Sequence, residues 1–309
     1  MMPPRDVVFE QAIIDQQGPR DPHIKAAGDI DGDGRADLVV ASSAGGPLVW
    51  YRPPSWERHI IAPAGKWSCD AKLVDMNGDG WPDLVISEWY AGNRMEWYEN
   101  PAPSGDPRGP WKRHIIGPPR AHNIDVADLD GDGQAEIVTR DQNAPGNRIM
   151  VWKGAGDEWR QRAFECPAGE GLDVADVNAD GRPEVVIGGR WYELTGDALD
   201  GAWRERVFAD WLSDAVVRVA DMNGDGRPDI VLTRSEGAHG VSWFEAPQDP
   251  AREEWTEHVV DGDVDFAHSL IIADVNGDGL LDIVTAEMHQ STRRRVLVYY
   301  NEGAGASWC

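Results

Sequence analysis

Six segments of this chain carry carboxylates and amides at a spacing that suits a hard cation. They are DIDGDGRAD (29–37), DMNGDGWPD (75–83), DLDGDGQAE (128–136), DVNADGRPE (176–184), DMNGDGRPD (221–229) and DVNGDGLLD (274–282). Positions 1, 3, 5 and 9 of each loop bear side-chain oxygen. The occupants are Asp29, Asp31, Asp33 and Asp37; Asp75, Asn77, Asp79 and Asp83; Asp128, Asp130, Asp132 and Glu136. In the later loops they are Asp176, Asn178, Asp180 and Glu184; Asp221, Asn223, Asp225 and Asp229; Asp274, Asn276, Asp278 and Asp282. Ca²⁺ takes about six to eight oxygen ligands in a flexible shell, and Gly at position 6 lets the chain turn sharply enough to supply them. Up to six structural Ca²⁺ ions are therefore expected. The fourth loop is expected to be the weakest, because Ala179 replaces Gly at position 4. The last acid stands at position 9, not at the twelfth position of an EF-hand.

A second set of residues varies from one segment to the next. Six residues before each first Asp stand His23, Cys69, His122, Glu170, Ala215 and His268. Three imidazoles suffice to hold Zn²⁺ or another divalent transition metal with one position open. Such an ion polarises a carbonyl or activates water. His23, His122 and His268 are thus the candidate ligands, and Glu170, Glu287 or His289 the candidate acid or base. Arg140, Arg190 and Arg234 are candidates for binding an anionic or hydroxyl-rich substrate, and Glu236 falls in the same set of loops. The competing assignment makes these histidines hydrogen-bonding partners of loop backbone. Trp67, Trp89 and Trp211 fall outside the repeat phase and offer flat faces for a sugar ring, with loop packing as the alternative.

The elements that must carry these residues are short strands. LVVA, LVIS, IVTR, VVIG, IVLT and IVTA follow the six acidic loops, too brief for helices and rich in β-branched residues. An aromatic run comes next (LVWY, MEWY, IMVW, RWYE, VSWF, VLVYY), and a W-x-x-(H/R) run such as WERHII or WKRHII precedes the following loop. His59, His114 and His258 sit in that last run at fixed phase, which marks them as structural. The loops recur at intervals of 46, 53, 48, 45 and 53 residues. A period near 50 in an all-strand chain points to radial repetition. The expected fold is all-β, a six-bladed β-propeller of four-stranded antiparallel blades filling one domain over residues 1–309. Phe9–Ile14 (FEQAII) matches the fourth strand of a unit and is expected to close the last blade. Meander connectivity places the acidic loops on one face and the varied residues on the other, at the mouth of the central channel.

On these loops and strands the chain resembles the VCBS/FG-GAP repeat superfamily of calcium-loop β-propellers. In plan it also resembles the propeller portion of aldos-2-ulose dehydratase-like enzymes, which combine calcium-type loops with a metal-centred site. The second resemblance implies a metal-assisted carbohydrate lyase or dehydratase. A glycan- or protein-binding propeller of lectin or adhesion type is the alternative.

The formal net charge of −25 comes largely from the motif. Twenty of the 54 acids occupy loop positions, four each in the first and third loops and three in each of the others. Six Ca²⁺ would leave the net charge near about −13. With no basic patch, nucleic acid is not an expected partner, and no apolar run is long enough to span a membrane. Carbohydrate or another polar small molecule fits better. Cys69, Cys166 and Cys309 show no paired spacing. Neither a Gly-rich phosphate loop, a G-x-S-x-G elbow nor an H-E-x-x-H pair occurs, which removes kinase, serine hydrolase and zincin chemistry. Weak calcium sites suit an extracytoplasmic setting, with a signal absent from this sequence, better than the cytoplasm.

Overall fold

A computed structural model describes residues 7–88, 92–140, 147–211, 214–238 and 240–309. Six antiparallel meanders follow one another along the chain. The first holds β1 (Pro22–Gly28), β2 (Asp37–Ser42), β3 (Gly46–Arg52) and β4 (Glu57–Gly65). The second holds β5 (Trp67–Val74), β6 (Asp83–Glu88), β7 (Met95–Glu99) and β8 (Lys112–Gly117), and the third β9 (Asn123–Ala127), β10 (Glu136–Arg140), β11 (Arg148–Ala155) and β12 (Glu158–Glu165). The fourth holds β13 (Asp173–Ala175), β14 (Glu184–Ile187), β15 (Arg190–Thr195) and β16 (Ala202–Val207). The fifth holds β17 (Ala215–Ala220), β18 (Asp229–Arg234), β19 (Val241–Glu245) and β20 (Thr256–Asp261). The sixth has three strands, β21 (Ala267–Ala273), β22 (Asp282–Glu287) and β23 (Val296–Tyr299). The fold is all-β, a six-bladed β-propeller, and no helix occurs among the described residues.

Two compact units divide the chain. Gln11–Ala127 with Gly133–Glu165 carries blades one to three, and Cys166–Cys309 with Asp128–Asp132 and residues 7–10 carries blades four to six. Within the first unit β1 lies against β5 and β5 against β9; within the second, β13 lies against β17 and β17 against β21. The second strand of a blade is covered on both faces, so it reads as a continuous apolar run. All four residues of β14 and the first five of β18 are buried. The fourth strand alternates instead, as in β12, where charged residues face out. The apolar core lies between neighbouring blades, with Trp50, Trp67, Ile24 and Leu84 joining blades one and two. Val217, Trp191 and Phe244 join blades four and five in the same way.

The tryptophans work as inter-blade staples. Trp50 and Trp111 both donate their indole N–H to the Pro107 carbonyl, at 3.2 and 2.9 Å. Trp97 and Trp159 share the Gly156 carbonyl in the same way, at 3.1 and 2.9 Å. The phased histidines complete the arrangement. His114 stacks on Trp97 at 4.1 Å and reaches Glu99 at 2.8 Å; His258 stacks on Trp243 at 4.2 Å and reaches Glu245 at 2.9 Å.

The N-terminal strand expected at Phe9–Ile14 is not formed. Residues 7–20 carry no strand, and Phe9 and Ile13 are 68 % and 69 % exposed. Asp15 explains the difference, because it accepts the Gln17 N–H, the Tyr51 hydroxyl and an Arg58 N–H and so holds the segment in a turn on blade one. Ile14 packs there against Val40, Val49 and Tyr51. On the sixth blade the chain's last residues take up the outer position, where Tyr300 and Cys309 exchange backbone hydrogen bonds and Asn301 bridges to Trp308.

Candidate functional site

The acidic loops share one geometry. Position 1 is the hub: Asp75 accepts the N–H groups of Gly78, Asp79 and Gly80 at 2.7–3.2 Å, and Asp274 accepts those of Gly277, Asp278 and Gly279 at 2.7–3.1 Å. In the first loop, oxygens of Asp29, Asp31 and Asp33 lie within 4.8 Å of one another. Arg52 contacts both Asp31 and Asp33 there. Position 4 requires a left-handed backbone. Gly32, Gly78, Gly224 and Gly277 have φ of 73–76°, and Ala179 is forced to 58° in the fourth loop.

Position 9 is the first residue of the second strand and is buried, with Asp83, Asp229 and Asp282 all 0 % exposed. One oxygen accepts the N–H of loop position 2; the other accepts the N–H that follows the aromatic strand, from Asn100, Ala246 or Asn301. Burial pushes four position-9 acids up, Asp37 and Asp229 to about 6, Asp83 to about 7 and Glu184 to about 8. The neighbouring loop carboxylates push in the same direction. In blade one Asp37 Oδ1 is buried without any donor. Leu38 pairs with Tyr51 as Leu84 pairs with Tyr98, so Pro53 stands where Asn100 stands, and proline has no N–H. A donor set of clustered carboxylates, one buried oxygen lacking a partner, and acids destabilised in their charged form fits a hard divalent cation.

The second candidate centre lies in blades four to six. Glu170, Glu236 and His268 bring ligand atoms within 4.8 Å of one another, with His268 Nε2 at 3.1 Å from Glu170 Oε1. Glu170 is 2 % exposed, and His268 keeps about a third of its side chain in contact with solvent. Each is placed by backbone. Glu170 precedes Gly171, whose φ of +91° and approach to the Ala215 carbonyl leave no room for a side chain. The Glu170 carbonyl accepts the Ala215 N–H at 3.4 Å. His268 follows Ala267, whose carbonyl accepts the buried Thr233 hydroxyl at 2.7 Å. Phe266, at φ 52°, donates its N–H to the Gly237 carbonyl at 2.8 Å, and Ala238 bridges to Asp265. Those two links bring Glu236 alongside His268. Two carboxylates and an imidazole form a donor set suited to a divalent transition metal.

The FG-GAP-like repeat profile matches residues 29–86, 75–139 and 221–285, more than half of the chain. The chain belongs to the FG-GAP-like repeat family. A curated relative, aldos-2-ulose dehydratase of Phanerodontia chrysosporium, is 29 % identical over 154 residues, covering 43 % of this chain and 17 % of that protein. The match therefore spans under a fifth of that relative's length. Among solved structures, BBS1N in complex with ARL6DN, soaked with mercury, is 13 % identical with a TM-score of 0.54. The match covers 86 % of this chain and 76 % of that one, and shows a shared fold. The Vibrio cholerae biofilm matrix protein Bap1 matches over 90 % of this chain and 40 % of its own, at 15 % identity and a TM-score of 0.44.

The other sequence-derived candidates of this FG-GAP-like chain occupy varied settings. His23 Nδ1 accepts the Cys69 N–H at 3.0 Å beside Ser68, and His122 Nδ1 lies 3.2 Å from Asn123. Neither belongs to a metal-capable cluster among the described residues. Glu287 is enclosed by Arg295, which bonds it through side chain and backbone, and by Ser291; the Arg295 bonds hold it down at about 2. A carboxylate so held stays ionised and ties the loop together, which suits neither proton donor nor base. Arg190 pairs with Glu205 across its own blade at 3.2 Å, Arg234 donates to the Ala238 carbonyl at 2.6 Å, and Arg140 is buried in β10. His289 is exposed in a turn. Trp67 is buried with its N–H on Glu96 at 3.0 Å, and Trp211 packs edge-on against Phe244. Trp89 lies outside the described residues.

Sequence reasoning missed the asparagine clamps. Asn100 of blade two donates to the Ile30 carbonyl of blade one at 3.1 Å and to Pro82, and Asn301 of blade six donates to Met222 of blade five at 2.9 Å and to Leu281. Each thus ties an acidic loop to its neighbour. The signal was a Y-x-N ending on the aromatic strand, at Tyr98–Asn100 and Tyr299–Asn301.

Proposed function

We propose that this chain is a calcium-stabilised propeller bearing a metal-assisted, carbohydrate-directed lyase or dehydratase site on Glu170, Glu236 and His268. The observation that supports it is the convergence of those three side chains from three different blades, at positions where the repeat itself imposes no residue. The partial likeness to aldos-2-ulose dehydratase supports the reaction class and a carbohydrate substrate. A divalent ion held by this set would supply Lewis-acid polarisation of a substrate carbonyl.

The chain's own groups have separate tasks. Glu170, enclosed and backed by Gly171, is held in a fixed position. His268 reaches solvent on one side, so an ion held by its imidazole would be open to substrate. The acidic loops hold Ca²⁺ as a frame, in keeping with extracytoplasmic conditions, where that ion is abundant.

The test is metal analysis of the purified chain joined to a dehydration assay on ketoaldoses and uronates. About one tightly held transition metal beyond calcium is expected, lost together with turnover in His268→Ala and Glu236→Ala. A glycan-binding propeller without catalysis would instead bind sugar with no product formed and no dependence on that metal.

A further inference from the structure

Two pairs of neighbouring acidic loops are each joined by one buried asparagine, and each pair lies within a single unit. In the first unit, Ile30 stands at position 2 of loop one, between Asp29 and Asp31. Its N–H goes to Asp37 at 2.9 Å, and its carbonyl accepts the Asn100 amide at 3.1 Å. The same asparagine meets the second loop twice. Its side chain donates to the Pro82 carbonyl at 3.2 Å, and its backbone N–H goes to Asp83 at 2.7 Å. One residue thus spans position 2 of one loop and positions 8 and 9 of the next.

The second unit repeats the path. Met222, at position 2 of loop five, gives its N–H to Asp229 at 2.9 Å, and its carbonyl accepts the Asn301 amide at 2.9 Å. Asn301 donates to the Leu281 carbonyl at 3.2 Å and, through its backbone, to Asp282 at 2.9 Å. Ile30, Met222, Asn100 and Asn301 are all buried, so water does not readily replace these bonds. Blades three, four and five have Gly154, Leu194 and Ala246 at the equivalent place, two residues beyond Trp152, Tyr192 and Phe244. None of these three carries a side-chain donor. The first pair has a further link, because the Trp81 ring of loop two lies 2.7 Å from where a β-carbon on Gly32 of loop one would stand.

Resting on the reading of the acidic loops as calcium sites, we propose that calcium binds in two coupled pairs, loops one with two and five with six. Each ion raises its neighbour's affinity through the shared asparagine. In loop one, oxygens of Asp29, Asp31 and Asp33 lie within 4.8 Å of one another, and Asp37 Oδ1 is buried without a donor. Those like charges repel until a cation joins them, and Arg52 offsets them only in part. Ile30 lies between two of the repelling residues, so its carbonyl settles when the ion binds. Asn100 is fixed with it, and so is the Asp83 end of the second loop. The second ion then enters a loop that is already ordered, which is positive cooperativity. Couplings between sites are commonly about 5–150-fold, and at least about fivefold is expected here.

Calorimetric titration of the chelator-stripped full chain with Ca²⁺ tests this, with elemental analysis giving the number of ions bound. Asp29→Asn keeps one acceptor oxygen at the hub of loop one. It should abolish one site and weaken a second at least about fivefold. Asp274→Asn should do the same, independently, in the other pair. Asp128→Asn, in loop three, should abolish one site and leave the remaining affinities at parental values. Asn100→Ser should keep both sites of its pair, and adding Asp29→Asn to it should then remove one site without weakening another. Loss of a single site in both Asp29→Asn and Asp274→Asn, with every other affinity unchanged, would overturn the coupling and leave the calcium reading intact. A coupling that survives in Asn100→Ser would overturn the part given to the asparagine. A parent chain that binds no calcium at millimolar concentration would instead overturn the calcium reading, and the coupling with it.

Discussion

The carbonyl oxygen of Ala215 lies 1.5 Å from the point where a β-carbon on Gly171 would stand. This contact between the entrances of blades four and five fixes the backbone beside Glu170, and no residue larger than glycine can occupy it. Gly171→Ala should therefore displace Glu170 and abolish retention of a transition metal, while calcium content per chain stays near that of the parent. Elemental analysis before and after mild chelation measures both. Glu170→Gln, which leaves the backbone alone, should weaken retention without lowering the melting temperature comparably.

Ala179 is held at φ 58° where all five other loops use glycine. A left-handed alanine costs about 1–2 kcal/mol, part of which glycine returns through its more disordered unfolded state. Ala179→Gly should stabilise the calcium-loaded protein by a net of about 0.5–1 kcal/mol. Equilibrium urea unfolding measures it, and an unchanged or lower midpoint would show the loop unstrained.

Asp37 gives the calcium assignment a two-sided test. Its buried carboxyl, pushed up to about 6 by burial, has an oxygen with no donor, and the charges of Asp31, Asp33 and Asp29 push it the same way. Without a cation, ionising it opposes folding; with a cation, the same charge is wanted. Asp37→Asn should melt above the parent in excess chelator at pH 8 and below it in millimolar calcium. The same order in both buffers would remove calcium from the first loop.

The six acidic loops and their strands were legible in the sequence because each acid answers a local need. Position 1 caps its own loop and position 9 starts its own strand. The failure at Phe9–Ile14 is equally physical. Its pattern is that of an outer strand, yet Asp15, Tyr51 and Arg58 bind the segment elsewhere, and a pattern does not record that competition. At the candidate centre, His268 and Glu170 were legible by counting back from the loops. The part taken by Glu236 was not, because it depends on Phe266 and Ala238 drawing two loops together rather than on repeat phase.

Glu287 predicts an acid-dependent loss of stability. Its Arg295 hydrogen bonds hold it at about 2, below the ordinary 4.5. Between those values the unfolded chain binds more protons than the folded one, so stability rises with pH across this window. The contribution is complete above about pH 4.5 and lost as the pH falls toward about 2. Thermal melts of Glu287→Gln should show a shallower decline than the parent over that window and a lower midpoint at neutral pH. A parallel decline would mean that the Arg295 contact does not persist in solution.

Asn100 offers the sharpest test of how neighbouring blades are held. It is 2 % exposed and donates both amide hydrogens, to Ile30 and Pro82, while its oxygen accepts the Ala102 N–H. Asn100→Ala leaves two carbonyls and one N–H without their partner in a buried place, at a cost of about 2–4 kcal/mol. Asn100→Asp has nearly the same shape but sets a carboxylate oxygen against two carbonyls. It should therefore destabilise more than alanine, reversing the order that volume alone predicts. Ser104→Ala, whose hydroxyl makes only an exposed 3.5 Å contact, serves as the control and should unfold with the parent. If Asn100→Asp is the milder of the two changes, the side chain fills space rather than clamping the loops.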